Sequence, residues 1–299
     1  MQHNINTADT VLTVSDGGWT ASVRTLGAEL QSVRDPQGHE YIWQGDPAVW
    51  SGRSPLLFPI VGRQKDDTLD YGNGTEYKMK AHGFAKTQIF SVASRTEREA
   101  ELILYDNEAT RSQYPFAFSL RSAFSLSSNV LTVRRTVRNT GDQPLPFLLG
   151  EHIGFCVPME EGLTYSDYRV RFEKRETLDN FPLNGDHYLG THEPYINNED
   201  ILPLDPLMFA NDARILRDPV SRSVRLESAR GSRSVQVYFP DYTSLGLWAK
   251  PRAPYLCIEP WVGHDSFAGD SHLMSEKDSL VVLASGEERT FTCVVSFFA

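Results

Sequence analysis

A regular alternation of apolar and polar residues recurs along most of the chain and limits, more than any other feature, what the chain can fold into. A period of two places successive side chains on opposite faces of an extended strand. The clearest alternating segments span residues 19–26, 100–105, 116–124, 130–137, 234–239 and 290–297. Turn-forming residues separate such segments at 16–18, 73–74, 139–142, 184–186 and 285–286, and long amphipathic helical segments are missing from the sequence. The pattern predicts an all-β chain that forms a β-sandwich in one domain over residues 1–299, while closed barrels and propellers stay possible.

One segment, residues 157–212, departs from this alternation. It is rich in proline and glycine and carries many acidic and amide side chains. Because proline and glycine favour turns and irregular backbone, we expect this segment to make long excursions over the body of the protein.

Charge and cysteine content exclude several classes of partner and site. The formal net charge of −10 argues against nucleic acids and anionic membranes, since both need a basic surface. The three cysteines, Cys156, Cys257 and Cys293, are far apart, which argues against a disulfide framework or a cysteine zinc site and fits a reducing compartment. The first residues lack the pattern of a signal peptide, and no apolar run is long enough to span a membrane. A cytoplasmic location is therefore expected.

Four stretches combine chemically active side chains with glycine or proline. They contain Arg63, His82, the pair Glu151 and His152, and Glu259. Each has a plain structural explanation when taken alone: a solvated arginine, a turn histidine, a polar pair that satisfies itself or the backbone at a sheet edge, and an acid at the end of a strand. Burying Glu151 or His152 without a partner is costly, so this pair needs a specific environment.

Five stretches, taken together and in order, are more specific. They are Leu57-Phe-Pro-Ile-Val-Gly-Arg63, His82-Gly-Phe-Ala-Lys86, Glu151-His152-Ile-Gly-Phe155, Phe209-Ala-Asn-Asp212-Ala213 and Cys257-Ile-Glu-Pro-Trp-Val-Gly263. Their content and order resemble the aldose 1-epimerase (galactose mutarotase) family, and within it the LacX-like branch.

The chain departs from that branch at three places. Lys86 stands where the branch has arginine, Gly150-Glu-His-Ile-Gly-Phe155 replaces Gly-Gly-His-Pro-Ala-Phe, and Ala213-Arg214 follows Asp212 in a changed context. The second departure lies beside His152 and therefore bears on sugar preference more than on the chemistry.

The resemblance implies a large antiparallel β-sandwich, the galactose-mutarotase-like supersandwich, with a sugar cleft on one concave face. It implies interconversion of the α and β anomers of an aldohexose, with no metal or organic cofactor. In this chain the base at O1 would be Glu259 and the acid at O5 would be His152. His82 would bind near the ring oxygen, Arg63 and Asp212 would hold ring hydroxyls, and Trp261 would wall the site. Trp248 and Trp261 are also candidates to stack on the C–H face of the sugar, with plain core packing favoured for Trp248.

Three alternatives stay open. The first is a hexose-6-phosphate 1-epimerase, which needs a cationic pocket drawn from Arg63, Lys65, Lys86, Lys250 or Arg252. The second is a carbohydrate-binding or regulatory module without turnover, for which an acid–base pair is not needed. The third is a metal site formed by His82, His152, Glu259 and His264, although their spacing matches no common short metal motif.

Overall fold

The computed structural model describes residues 8–184 and 189–299, in which the backbone forms many strands and little helix. The first strands are β1 Val11–Asp16, β2 Trp19–Arg24, β3 Glu29–Arg34, β4 Thr68–Asp70, β5 Glu76–Lys78, β6 Ser91–Arg95, β7 Glu99–Tyr105, β8 Phe118–Ser127, β9 Val130–Asn139, β10 Leu145–Phe147, β11 Leu149–Gly150 and β12 Ile153–Cys156. The later strands are β13 Tyr168–Asn180, β14 Glu193–Pro203, β15 Arg214–Arg217, β16 Ser223–Ser228, β17 Ser234–Tyr238, β18 Ser244–Trp248, β19 Tyr255–Val262, β20 Val281–Leu283 and β21 Glu288–Phe298. The prediction of an all-β chain is confirmed.

Helix is confined to single turns in the described residues. One α-helical turn, α1, spans Glu108–Arg111, and 3₁₀ turns span Lys65–Asp67, Ala85–Thr87, Tyr165–Asp167 and Met274–Glu276. None of these is long and apolar enough to cross a lipid bilayer as a helix.

One large antiparallel sheet of 14 strands dominates the fold. Its strands follow the order β11-β19-β18-β15-β13-β16-β17-β21-β9-β8-β7-β6, with β12 paired to β19 and β14 paired to β13. Smaller sheets are formed by β1-β2-β3, by β10-β20 and by β4-β5.

Contacts between strands that lie far apart in this order show that the large sheet folds over on itself. Arg135 on β9 forms an ion pair with Glu151, which directly follows β11 at the other end of the strand order. The small β10-β20 sheet adds to the same core, since Phe147 on β10 packs against Phe291 on β21 with ring centroids 6.0 Å apart. Two layers therefore enclose the core between them, and the expected large antiparallel β-sandwich is confirmed.

The segment 157–212 is more ordered than its proline and glycine content indicated. It contains the two long strands β13 and β14, which pair with each other. On β13, Tyr168, Val170 and Phe172 are buried while their neighbours are more exposed, so an alternation was present that the turn residues obscured. The expectation of excursions was wrong for these strands, and the turn predicted at 184–186 lies largely outside the described residues.

The strand that carries Glu259 is longer than its sequence indicated. One explanation from the sequence was an acid at the end of a strand, but β19 continues through Pro260 to Val262, and every residue in it is buried. β19 pairs with β18 on one side and with β11 and β12 on the other, so Glu259 lies inside the sheet.

Removing one partner of the Arg135–Glu151 pair is expected to destabilise the protein strongly, because the other charge is then buried without compensation. Arg135→Met and Glu151→Leu should each lower the free energy of unfolding by about 3–5 kcal/mol, measured by urea denaturation followed by circular dichroism. The double variant should lose much less than the sum, since neither charge is left buried. A loss equal to that sum would contradict direct coupling between the two residues.

Candidate active site

A cavity of about 620 Å³ lies over the face of β18 and β19 and is walled by the irregular segments of the chain. All six residues that the sequence assigned to a site line this cavity: Arg63, His82, His152, Asp212, Glu259 and Trp261. Residues distant in the sequence therefore converge on one concave space of the size that binds small molecules.

The floor of the cavity follows from the period of two along β19. Glu259 and Trp261 both line the cavity, whereas Pro260 between them points to the opposite face. Gly246 on β18 lies opposite Glu259, and Gly150 on β11 lies opposite Trp261. A Cβ atom at either glycine would stand within 3.0 Å of the Trp261 ring, so the two glycines make room for this indole in the floor.

The register of the sheet explains how His152 comes to face Glu259. Gly150 pairs with Trp261 and Ile153 pairs with Ile258, so the register does not shift between β11 and β12 and His152 stands opposite Glu259. The Glu151 backbone amide donates a hydrogen bond to the carbonyl oxygen of Pro260, which keeps the two chains together at this point. Cross-strand neighbours point to the same face of a sheet, and Nε2 of His152 is 3.3 Å from Oε2 of Glu259.

Burial controls the protonation of this pair. His152 is 8% exposed and Glu259 is 2% exposed. Desolvation lowers the pKa of His152 to about 3. Desolvation, with additional repulsion from Asp265 and Asp212, raises the pKa of Glu259 well above its usual value. Both shifts favour neutral groups, so in the empty cavity a single shared proton rests on the carboxyl group rather than on the imidazole.

His82 is held in one tautomer by the backbone. The Gly62 amide donates a hydrogen bond to Nδ1 of His82 at 3.1 Å, so this nitrogen is an acceptor and the proton of the neutral ring lies on Nε2. Desolvation and the nearby His152 lower the pKa of His82 well below its usual value. His82 therefore offers a neutral N–H donor, and its ring centroid lies 5.7 Å from that of His152.

Hydrogen bonds hold the backbone of Arg63 in place, and its side chain is available to a ligand in the cavity. Its amide donates to Oδ1 of Asp265 at 2.6 Å, and its carbonyl oxygen accepts from the Ser266 amide. The side chain is 39% exposed, and its only recorded ion pair within the described chain is a long one of 3.8 Å to Asp67. A guanidinium group in this position can donate to hydroxyl groups in the cavity.

The lining carries more acidic than basic groups. The acidic residues are Glu29, Asp212, Glu259 and Asp265, and the basic residues are Arg63 and Lys86. Lys86 donates to the carbonyl oxygen of Ala81 at 2.7 Å, and burial lowers its pKa to about 8. Of the other basic residues considered for a phosphate, Lys250 lines a neighbouring cavity, and neither Lys65 nor Arg252 is among the described lining residues.

Two further tryptophans line the cavity. Trp248 packs against the core, the role that the sequence favoured, and it also lines the cavity, so stacking on a sugar stays a prediction for it. Trp50 was not identified. Its ring lies 5.2 Å from that of His152, and Gly154 leaves the space that the indole occupies. An aromatic residue in a loop of proline, serine and glycine was the available signal.

The four residues considered as a metal site from the sequence do not all line one cavity. His264 lines a separate small cavity, and its Nδ1 is bonded to the carbonyl oxygen of Asp265. Instead, His152, Cys257 and Glu259 place three ligand atoms within 4.8 Å of one another. Burial raises the pKa of the Cys257 thiol well above its usual value, which disfavours the thiolate that metal binding requires.

Comparison with known proteins agrees with the fold and identifies the family. Residues 10–296 match the family model described as aldose 1-epimerase. The plasmid-encoded protein LacX of Lactococcus lactis subsp. lactis is 30% identical over 267 residues, covering 86% of this chain and 89% of that protein.

Solved structures agree with this assignment of the fold. A galactose mutarotase related enzyme from Lactobacillus acidophilus superposes with a TM-score of 0.91 at 29% identity, covering 97% of this chain and 98% of that one. A galactose mutarotase-like protein from Lactobacillus casei gives a TM-score of 0.89 at 26% identity, covering 96% and 100%. With nearly its whole length matched by the family model, the chain belongs to the aldose 1-epimerase family.

Proposed function

We propose that this protein is a mutarotase that interconverts the α and β anomers of an uncharged aldose by acid–base ring opening and closure. The observation that carries the proposal is the contact between His152 and Glu259, 3.3 Å apart and buried at the base of the cavity. Binding alone does not require a proton-sharing pair at the bottom of a sugar-sized cleft, whereas opening a hemiacetal does.

The chemistry needs one proton removed and one delivered. Glu259, as carboxylate, takes the proton from the O1 hydroxyl, while His152, as imidazolium, gives a proton to the ring oxygen O5. The C1–O5 bond breaks and leaves an open-chain aldehyde. Rotation about C1–C2 presents the other carbonyl face, and the reverse transfers close the ring. Because O1 and O5 are both bonded to C1, two neighbouring groups can serve both oxygens.

Substrate binding must create the charged form of the pair, since burial favours the neutral one. Moving the shared proton from Glu259 to His152 across their 3.3 Å contact gives carboxylate and imidazolium without exchange with solvent. The O1 hydroxyl can donate to the carboxylate and stabilise its charge. The N–H group of His82 can donate to the ring oxygen or a neighbouring hydroxyl, and Arg63 and Asp212 can hold ring hydroxyls in register.

The charge of the lining favours an uncharged sugar over a hexose 6-phosphate. Among the described lining residues, a phosphate group would meet Glu29, Asp212 and Asp265 in addition to the neutral Glu259, against only Arg63 and Lys86, and Lys86 is already bonded to a backbone carbonyl. Phosphate sites instead gather several free cationic or N–H donors. The hypothesis of a hexose-6-phosphate 1-epimerase is therefore the weaker one.

The direct test is equilibration of a pure anomer. Freshly dissolved α-D-glucose or α-D-galactose should equilibrate faster with the protein than without it, followed by polarimetry, and the rate should persist in EDTA. The corresponding 6-phosphates should react more slowly. If only a phosphorylated sugar responds, the preference for an uncharged substrate is wrong, and if none responds the protein is a binding module.

The two proton carriers can be separated by substitution. Glu259→Gln and His152→Asn should each lower kcat by about 10²–10⁴-fold with a modest change in KM, because each group acts in the transition state. The double variant should be far less damaging than the product of the single effects. Glu288→Gln, which removes an exposed carboxylate outside the cavity, is the matched control and should keep normal rates. A folded Glu259→Gln protein with near-normal kcat would falsify this mechanism.

The dependence of kcat/KM on pH should be bell-shaped, because the active pair holds one proton. The lowered pKa of His152 means that the second proton binds only in acid, so the acid limb should lie well below pH 6.5. Because the pKa of Glu259 is raised, the one proton of the active pair is lost only above the usual carboxyl range. The alkaline limb should therefore lie well above that range. Rates corrected for spontaneous mutarotation measure both limbs. His82→Asn should keep the bell shape, whereas an acid limb centred near 6.5 would contradict a buried His152.

A further inference from the structure

The buried thiol of Cys257 lies beside the acid–base pair, and the function proposed above does not use it. Cys257 stands two residues before Glu259 on β19, so both side chains point to the same face of the sheet. His152 reaches this face from the neighbouring chain, where it stands opposite Glu259. One ligand atom from each of these three residues lies within 4.8 Å of the other two. His152, Cys257 and Glu259 therefore form a buried cluster of one nitrogen, one sulfur and one oxygen donor.

The spacing within this cluster is close to that of a tetrahedral metal site. Bonds of about 2.0–2.3 Å from the ion to nitrogen, oxygen and sulfur hold the ligand atoms about 3.3–3.6 Å apart. Nε2 of His152 and Oε2 of Glu259 are already 3.3 Å apart. Because the sulfur of Cys257 lies within 4.8 Å of a ligand atom of each partner, a side-chain shift of about 1 Å completes the set.

Charge balance favours a divalent cation at this place. A bound ion replaces two protons, that of the Cys257 thiol and that of the Glu259 carboxyl group, and both protons leave to the solvent. Thiolate and carboxylate then neutralise the ion, in surroundings where an isolated charge is costly. After desolvation, repulsion from Asp265 and Asp212 is the further cause of the raised pKa of Glu259, so a negative potential acts on the cluster. Lys86 opposes this potential, since it helps to lower the pKa of His152.

The mixture of donors decides which ion fits. Thiolate and imidazole favour Zn²⁺, Cd²⁺ and Co²⁺, whereas Mg²⁺ and Ca²⁺ prefer sites built from oxygen ligands. Burial raises the pKa of the Cys257 thiol, so only an ion that binds sulfur strongly can displace its proton. His152 and Glu259 also line the main cavity, which leaves the fourth position of a tetrahedral ion open on that side.

We infer that a thiophilic divalent cation such as Zn²⁺ binds the cluster of His152, Cys257 and Glu259 and reversibly blocks the proposed reaction. The ion occupies the imidazole lone pair and the carboxylate that would carry the protons, so neither group can serve the sugar. The ion is an inhibitor here and not a cofactor. Binding of the ion is independent of the function proposed above, and only the inhibition rests on it.

Binding is tested with Co²⁺, because a thiolate ligand gives this ion a charge-transfer absorption band. Titration of the wild type should produce the band with one ion per chain, and added Zn²⁺ should displace Co²⁺ and remove it. Cys257→Ala should lose the band and bind at least about 100-fold more weakly, since a residue that merely supports a ligand is worth about 10–100-fold. Cys156→Ser removes a thiol outside the cluster and should keep the band. A wild type without the band, or a band that survives in Cys257→Ala, would overturn the proposal.

A second variant keeps the thiol and removes the carboxylate. Glu259→Gln preserves the shape of the side chain but supplies no negative charge to the ion, so it should weaken Zn²⁺ binding at least about 10-fold by titration calorimetry. This variant decides the matter even where Cys257→Ala does not fold. Equal affinities of the wild type and of folded Glu259→Gln for Zn²⁺ refute the site.

Inhibition is measured as the ratio of the rates with and without metal, so that differences in basal rate between variants cancel. Zn²⁺ should slow the equilibration of α-D-glucose by the wild type, EDTA should restore it, and Mg²⁺ at the same concentration should have no effect. Cys257→Ala should need at least about 100-fold more Zn²⁺ for the same inhibition. The same half-inhibitory concentration in both proteins would contradict inhibition through this cluster.

Failure of the mutarotase function gives a different result. A protein that shows the cobalt band but turns over no sugar retains the metal site and refutes the proposed function. Turnover of sugar by a wild type that shows no band supports the function and refutes the metal site.

Discussion

The ion pair between Arg135 and Glu151 is the constraint on which the geometry of the site depends. Both side chains are 1% exposed, and the guanidinium group contacts both carboxylate oxygens at 2.8 and 2.9 Å. Neither charge can be buried alone, so the strand that carries Arg135 and the segment that carries Glu151 must meet when the sheet folds over. His152 is the next residue after Glu151. An anchor in the core thus fixes the backbone from which the proposed acid projects, where the LacX-like pattern has a glycine instead.

A second constraint comes from the neighbouring strand. The register of β11 and β12 on β19 places His152 opposite Glu259, and the carbonyl oxygen of Pro260 holds the Glu151 amide beside it. The pair is then enclosed by the rings of Trp50, Trp248 and Trp261. This dry environment shifts both pKa values toward the neutral forms, and it makes the charged pair depend on what the substrate supplies. The same burial that fixes the geometry therefore couples proton transfer to sugar binding.

The cleft also separates recognition from chemistry. In the proposed mechanism, proton transfer is confined to the floor, where Glu259 and His152 lie, and Arg63 and Asp212 line the same cavity as proposed hydroxyl-binding groups. Among the described residues of the first cavity, acidic ones outnumber basic ones. This charge is the reason for proposing an uncharged sugar rather than a phosphorylated hexose.

The sequence by itself determined the all-β class, because the period of two is a local property of each strand, and it named the six polar and aromatic residues that line the cleft through the order of their stretches. It did not show that β19 continues past Glu259, or that β13 and β14 lie within a segment rich in proline, because pairing partners decide whether such residues extend a strand. Nor could it show that Glu151 binds Arg135 rather than His152, since that contact exists only once the sheet folds over. The reversed pKa order of His152 and Glu259 was likewise decided by the tertiary structure, because the extent of desolvation is set only when distant segments pack together.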